Sequence, residues 1–133
     1  MSKILCVDFD GVLHSYTSGW QGADVINDPP VPAALLWLKY MCSRTDYEIH
    51  IYSARSKQQG GIKAMKEWLI KHFCKLSPGM PEVLEGARNL VEQDLTFPTE
   101  KPPAYLTIDD RAICFRGTFP SVLEMDNFKP WNK

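Results

Sequence analysis

A chain of 133 residues with fifteen basic and sixteen acidic side chains carries a formal net charge of −1, so no global field draws it to nucleic acid or to an anionic membrane, and any polyanion binding is local. The length suits one domain, residues 1–133, that buries about two-thirds of the surface its unfolded chain exposes. Four cysteines, Cys6, Cys42, Cys74 and Cys114, are widely spaced with no Cys-x-x-Cys pair and read as reduced core residues, which excludes a disulfide framework.

Ile4-Leu5-Cys6-Val7 is too short for a helix and suits a strand buried on both faces. It ends in Asp8-Phe9-Asp10-Gly11, two carboxylates one residue apart, followed by a glycine that permits a tight turn. At the carboxyl end of such a strand both acids can project into the crevice where open α/β sheets bind ligands. Phosphate chemistry with magnesium calls for such a pair, because a hard cation takes oxygen ligands and offsets the charge of an anionic substrate. The same residues are also ordinary turn formers. The apolar run is too short for a signal peptide, and no window approaches the ~18 apolar residues of a membrane span, so a cytoplasmic protein that does not enter a membrane is expected.

His14 to Asp24 is polar and glycine-containing, a loop over the strand end. His14 reads as a solvated or hydrogen-bonded surface group within reach of a substrate at Asp10, and Trp20 is treated alike. Pro32 is placed as the first residue of a helix, and Ala33 to Cys42 is apolar almost all round, as in a helix packed on a sheet. Glu48-Ile49-His50-Ile51-Tyr52 alternates into a second strand that ends in Ser53-Ala54-Arg55-Ser56. There a hydroxyl, backbone N–H groups and a guanidinium can meet a phosphate, or Ser53 can cap the next turn.

Ile62, Met65, Trp68, Leu69 and Phe73 form one stripe of an amphipathic helix. Lys63, Lys66, Lys71 and Lys75 lie mainly off it, a solvated face or a hold on a polyanionic substrate. Ser77 to Pro81 breaks the helix, Glu82 to Asp94 is compatible with another, and Leu95-Thr96-Phe97 with a short strand. Lys101-Pro102-Pro103 leads into Ala104-Tyr105-Leu106-Thr107-Ile108, a strand that again ends in acids, Asp109-Asp110. Ile113 to Gly117 reads as a last short strand, with Phe119 to Trp131 wrapping the surface; Trp131 is open to packing or to a partner.

Strands alternating with helical segments imply βαβ units, hence an α/β fold with a three-layer, doubly wound, Rossmann-like parallel sheet and right-handed crossovers. The polar ends of its strands then share one edge, where Asp8, Asp10, Ser53, Lys101 and Asp109 converge. In this order those motifs resemble the haloacid dehalogenase-like (HAD) superfamily of phosphohydrolases, over about residues 4 to 116.

The resemblance implies a magnesium-dependent phosphatase that acts on a phosphate monoester through an aspartyl-phosphate on Asp8, with Asp10 as general acid and then base. It implies that Ser53, with Ala54 and Arg55 beside it, binds the phosphoryl oxygens and that Lys101 offsets negative charge; Lys63 and Lys66 compete for that role. Asp8, the main-chain carbonyl of Asp10, and Asp109 would hold Mg2+, supported by Asp110. Position 12 is Val where many members have Thr. Neither gap between motifs has room for a cap domain, so the site is expected to be open. A capless site resembles members that accept large phosphorylated substrates or close the site with a partner subunit, and nucleotide, polynucleotide end, sugar phosphate and phosphoprotein all stay open, with nucleic acid among them. A phosphoacceptor of the receiver type and a non-catalytic binding module are the alternatives, the first disfavoured because the middle strand ends in Ser53. Oligomeric state is not readable.

Overall fold

The computed structural model describes residues 2–80 and 82–133. Its centre is β1 (Lys3–Val7), which pairs in parallel with β2 (Tyr47–Ile51) on one side and β4 (Leu106–Ile108) on the other; β3 (Leu95–Thr96) pairs in parallel with β2. The sheet order is therefore β3-β2-β1-β4. As expected of a strand covered on both faces, Leu5, Cys6 and Val7 are all buried. Leu5 faces Ile49 and Leu106 across the ladder, and Val7 faces Ile51 and Ile108. This α/β, all-parallel arrangement is compatible with a Rossmann-like fold.

The helices differ from expectation in their ends and faces. α1 (Ala34–Cys42) starts two residues after Pro32, because Ala33 takes a left-handed conformation with φ 68° that a helix cannot include. Nor is α1 buried all round: Leu35 and Leu38 enter the core while Leu36 and Tyr40 are exposed. One apolar side suffices because the sheet covers one side only.

α2 (Gly61–Cys74) buries Met65, Trp68, Leu69 and Phe73 of the predicted stripe, while Ile62 is partly buried against the core. Each such side chain contributes about 1.5–3 kcal/mol by leaving water. Gly61 begins α2 against the preceding turn: a Cβ there would lie 1.9 Å from the Arg55 carbonyl oxygen, so only glycine lets the helix start so close. α3 (Val83–Asn89) runs on into a π-helical turn at Leu90–Asp94. Leu13, Phe9, Val91 and Leu95 complete the core.

Two expectations fail at the C-terminal end. Residues 113–117 form no strand, and the segment expected only to wrap the surface contains a five-residue helix, α4 (Val122–Asp126). Ser121 caps it by accepting the Glu124 N–H at 3.1 Å. The four cysteines are unpaired, but Cys114 is exposed rather than in the core. Among the described residues no helix is long and apolar enough to cross a membrane.

Candidate active site

Parallel pairing brings three strand ends together. The Asp8 N–H donates to the Ile108 carbonyl at 2.9 Å and the Tyr52 N–H to the Val7 carbonyl at 3.2 Å, so the chain leaves β1, β2 and β4 at one level. Strands about 4.8 Å apart then set the turns carrying Asp8, Ser53 and Asp109 side by side.

Asp8, Asp109 and Asp110 each present a carboxylate oxygen within 4.8 Å of the others. Asp8 Oδ1 accepts the Phe9 N–H at 2.8 Å, and Asp109 Oδ1 accepts the Arg111 N–H at 2.9 Å. Burial, with the Asp109 and Asp110 charges behind it, pushes the Asp8 carboxyl up to about 8 in spite of the Phe9 N–H. Asp110 is also raised, by burial first and by Asp109. Three acids so close repel each other, and a cation among them would remove that repulsion. Carboxylate oxygens are the donors a hard divalent cation takes, so these side chains fit magnesium chemically.

Gly11 makes the cluster possible. Its φ is +82°, and a Cβ there would stand 2.1 Å from Asp110 Oδ2, so the turn needs a residue that has neither a side chain nor a left-handed penalty.

The Asp10 side chain does not join this cluster. It is held from the other side by Arg55, whose Nε donates to Asp10 Oδ2 at 2.9 Å and whose Nη2 donates to Oδ1 at 3.1 Å. His14 Nδ1 meets the same Oδ1 at 2.9 Å. His14 Nε2 accepts the Asp28 N–H at 3.1 Å, which assigns the ring proton to Nδ1 and makes that nitrogen the donor to Asp10. Oδ1 is thus crowded with donors and Oδ2 is the freer oxygen.

Two expectations change accordingly. His14 is buried, not a surface group, with its ring stacked on Phe9 and edge-on to Trp68. Arg55 is also fully buried, and it is directed at Asp10 and at the carbonyls of Gly22, Ala23 and Val25 rather than at a substrate. The Trp20 ring covers its guanidinium at 4.8 Å. A buried guanidinium needs a carboxylate and carbonyls around it, and here the protein supplies them.

Ser53 is buried at the end of β2; its Oγ accepts the Arg55 N–H at 3.2 Å, and its own N–H donates to Ser56 Oγ at 3.0 Å. The hydroxyl therefore caps the turn through its lone pair and still has a proton to donate. Ala54 is exposed on that turn.

Lys101 is exposed, and among the described residues it forms no hydrogen bond or ion pair with Asp8, Asp109 or Asp110; burial and then Asp8 push the Cys6 thiol up, and the Lys101 charge opposes them. Lys66 instead donates to Glu92 at 3.2 Å, and Lys63 sits 4.0 Å from Glu67 on the outer face of α2.

Of the two readings left open for Trp131, the structure shows packing on the body, against a partner in the chain that the sequence did not indicate. Trp131 Nε1 donates to the Gly11 carbonyl at 2.8 Å, and Asn132 Nδ2 to the Ser15 carbonyl at 3.2 Å, so the end of the chain is fastened along the Asp10–Ser15 loop. Apolar hollows lie elsewhere, as between α2 and α3, where Phe73, Leu76, Ala87 and Leu90 line one. No protein-family model matches the chain, and neither a curated protein nor a solved structure matches it at a significant level.

Proposed function

We propose that the protein is a magnesium-dependent phosphomonoesterase of the HAD-like, capless type. The observation that carries this reading is the meeting of Asp8, Asp109 and Asp110 at the end of the central strand, with Asp10 held separately beside them. A site built only for cation storage has no use for a fourth carboxylate kept apart from the other three, whereas phosphoryl transfer needs a nucleophile and a proton carrier.

Asp8 Oδ1 is engaged by the Phe9 N–H, which leaves Oδ2 to attack phosphorus. An Asp8–phosphorus bond forms as the bond to the leaving oxygen breaks, and Asp10 gives that oxygen a proton. Asp10 then takes a proton from the water that attacks the aspartyl-phosphate, and inorganic phosphate and free Asp8 result. The Ser53 hydroxyl donates to a phosphoryl oxygen, and Lys101 offsets negative charge on nucleophile and phosphate. Magnesium held by Asp8, Asp109 and the Asp10 carbonyl, with Asp110 in support, would supply charge neutralisation. Arg55 and His14 keep Asp10 in place without touching substrate.

Hydrolysis of an aryl phosphate by the purified protein, with and without magnesium, tests this. Turnover is expected with magnesium only and is abolished in Asp8→Asn. Turnover that survives Asp8→Asn would remove Asp8 as nucleophile.

A further inference from the structure

We propose that the face formed by the outer edge of β4 and the segment 111–128 joins two copies of this chain. The proposal does not depend on the phosphatase reading. β4 ends the sheet, so one of its edges is free of strand partners, and its Leu106 is exposed. The chain that follows is apolar yet barely packed: Phe119, Leu123 and Val122 are 87%, 70% and 68% exposed, and α4 buries no residue. The Phe115 and Phe119 rings meet at 4.9 Å in a tilted arrangement and line one hollow with Ile113, and Ile113 also lines the next hollow with Met125 and Phe128, so the two adjoin.

Size decides against an ordinary monomer surface. A bare aromatic side chain presents roughly 150–250 Å², and Phe115, Phe119 and Phe128 with Ile113 and Met125, which line two hollows that share Ile113, and Val122 and Leu123 of α4 expose on the order of 900 Å². The largest patch on a monomer is typically about 300–600 Å², whereas a stable pair buries about 800 Å² on each partner.

A second copy suits the face better than an unlike partner for two reasons. Arg116 and Glu124 line the same hollow, and neither forms an ion pair among the described residues. A two-fold axis brings the Arg116 of one copy toward the Glu124 of the other, so the surface is complementary to itself. A short free strand edge can likewise pair antiparallel with its own image, and a net charge of −1 per chain opposes this little. Asp109 and Asp110 lie in the chain between β4 and the segment 111–128, so a second copy on this face would also border the carboxylate cluster.

Sedimentation equilibrium on the wild-type chain and on Phe119→Glu and Leu123→Glu tests the proposal. The wild type should have twice the 15.2 kDa chain mass, and each variant should fall to the single-chain mass with an unchanged far-ultraviolet circular dichroism spectrum. Cys114, the one exposed thiol, gives a second readout that needs no substitution. Its labelling by a thiol reagent should slow several-fold as protein concentration rises through the association range. A wild-type chain that stays single at 100-fold concentration, a dimer that both variants leave intact, or concentration-independent labelling of Cys114 in a dimer would each overturn the proposal.

Discussion

The two halves of the candidate site satisfy their carboxylates by opposite means. Asp10 is surrounded by protein donors, with two nitrogens of a buried arginine and a histidine fixed by Asp28. Asp8, Asp109 and Asp110 face one another, and among the described residues no basic side chain forms an ion pair with any of them; the Phe9 amide donates to Asp8 and the Arg111 amide to Asp109. The first half is complete within the polypeptide. The second is a set of repelling charges that calls for a cation, and the raised Asp8 carboxyl is the electrostatic mark of that difference.

Breaking the complete half should have the largest effect on stability. Arg55→Met strips a mostly buried carboxylate of its partner, for which about 3 kcal/mol or more is expected. Urea unfolding reads it, and a loss under 1 kcal/mol would show that Asp10 does not depend on Arg55. Gly11→Ala acts on the boundary between the halves. The left-handed backbone alone costs about 1–2 kcal/mol, and the new methyl displaces Asp110, so magnesium affinity should fall as well as stability; unchanged affinity by calorimetry would detach Asp110 from the cation.

Acidity separates the halves by sign. In the absence of magnesium the folded Asp8 binds a proton up to about pH 8, whereas the unfolded carboxyl loses it near pH 4. Its contribution to stability is therefore full below about pH 4 and is lost as pH rises toward 8. In a chelator, the melting temperature of the wild type relative to Asp8→Asn should fall between those limits. His72 acts oppositely: burial, then Lys75, Lys71 and His14, lower it to about 4, so stability falls with acid below its ordinary range, which is why the wild type must be compared with the variant. A difference that is flat with pH would refute the raised Asp8. The smallest effect is expected for Trp131→Phe, which removes one hydrogen bond to Gly11 and should cost about 1 kcal/mol. Its more telling readout is magnesium affinity, since a purely structural tail would leave that constant.

The legible part of this molecule was the part fixed by local pattern. The β1 run and its acids, the α2 stripe and the Asp109-Asp110 ending each depend on a few neighbouring residues, and parallel pairing follows from their alternation with helices. Contacts between distant segments left no such trace. Nothing in Ser53-Ala54-Arg55-Ser56 tells whether the arginine points outward to a phosphate or inward to an aspartate 45 residues earlier. Nothing near Trp131 tells that its indole reaches a glycine 120 residues away. The Asp10–His14 pair was closer to view, since a four-residue spacing across a tight turn can bring two side chains together. The start of α1 was misplaced because the turn at Ala33 follows tertiary demands that proline statistics do not contain.

Titration calorimetry of magnesium into the metal-free wild type and into Asp109→Asn tests the incomplete half most directly. One site per chain is predicted, with proton release near neutral pH as Asp8 ionises and with binding lost or at least tenfold weaker in the variant. No heat of binding in the wild type, or equal affinity in the two proteins, would contradict the assignment of this cluster to a cation.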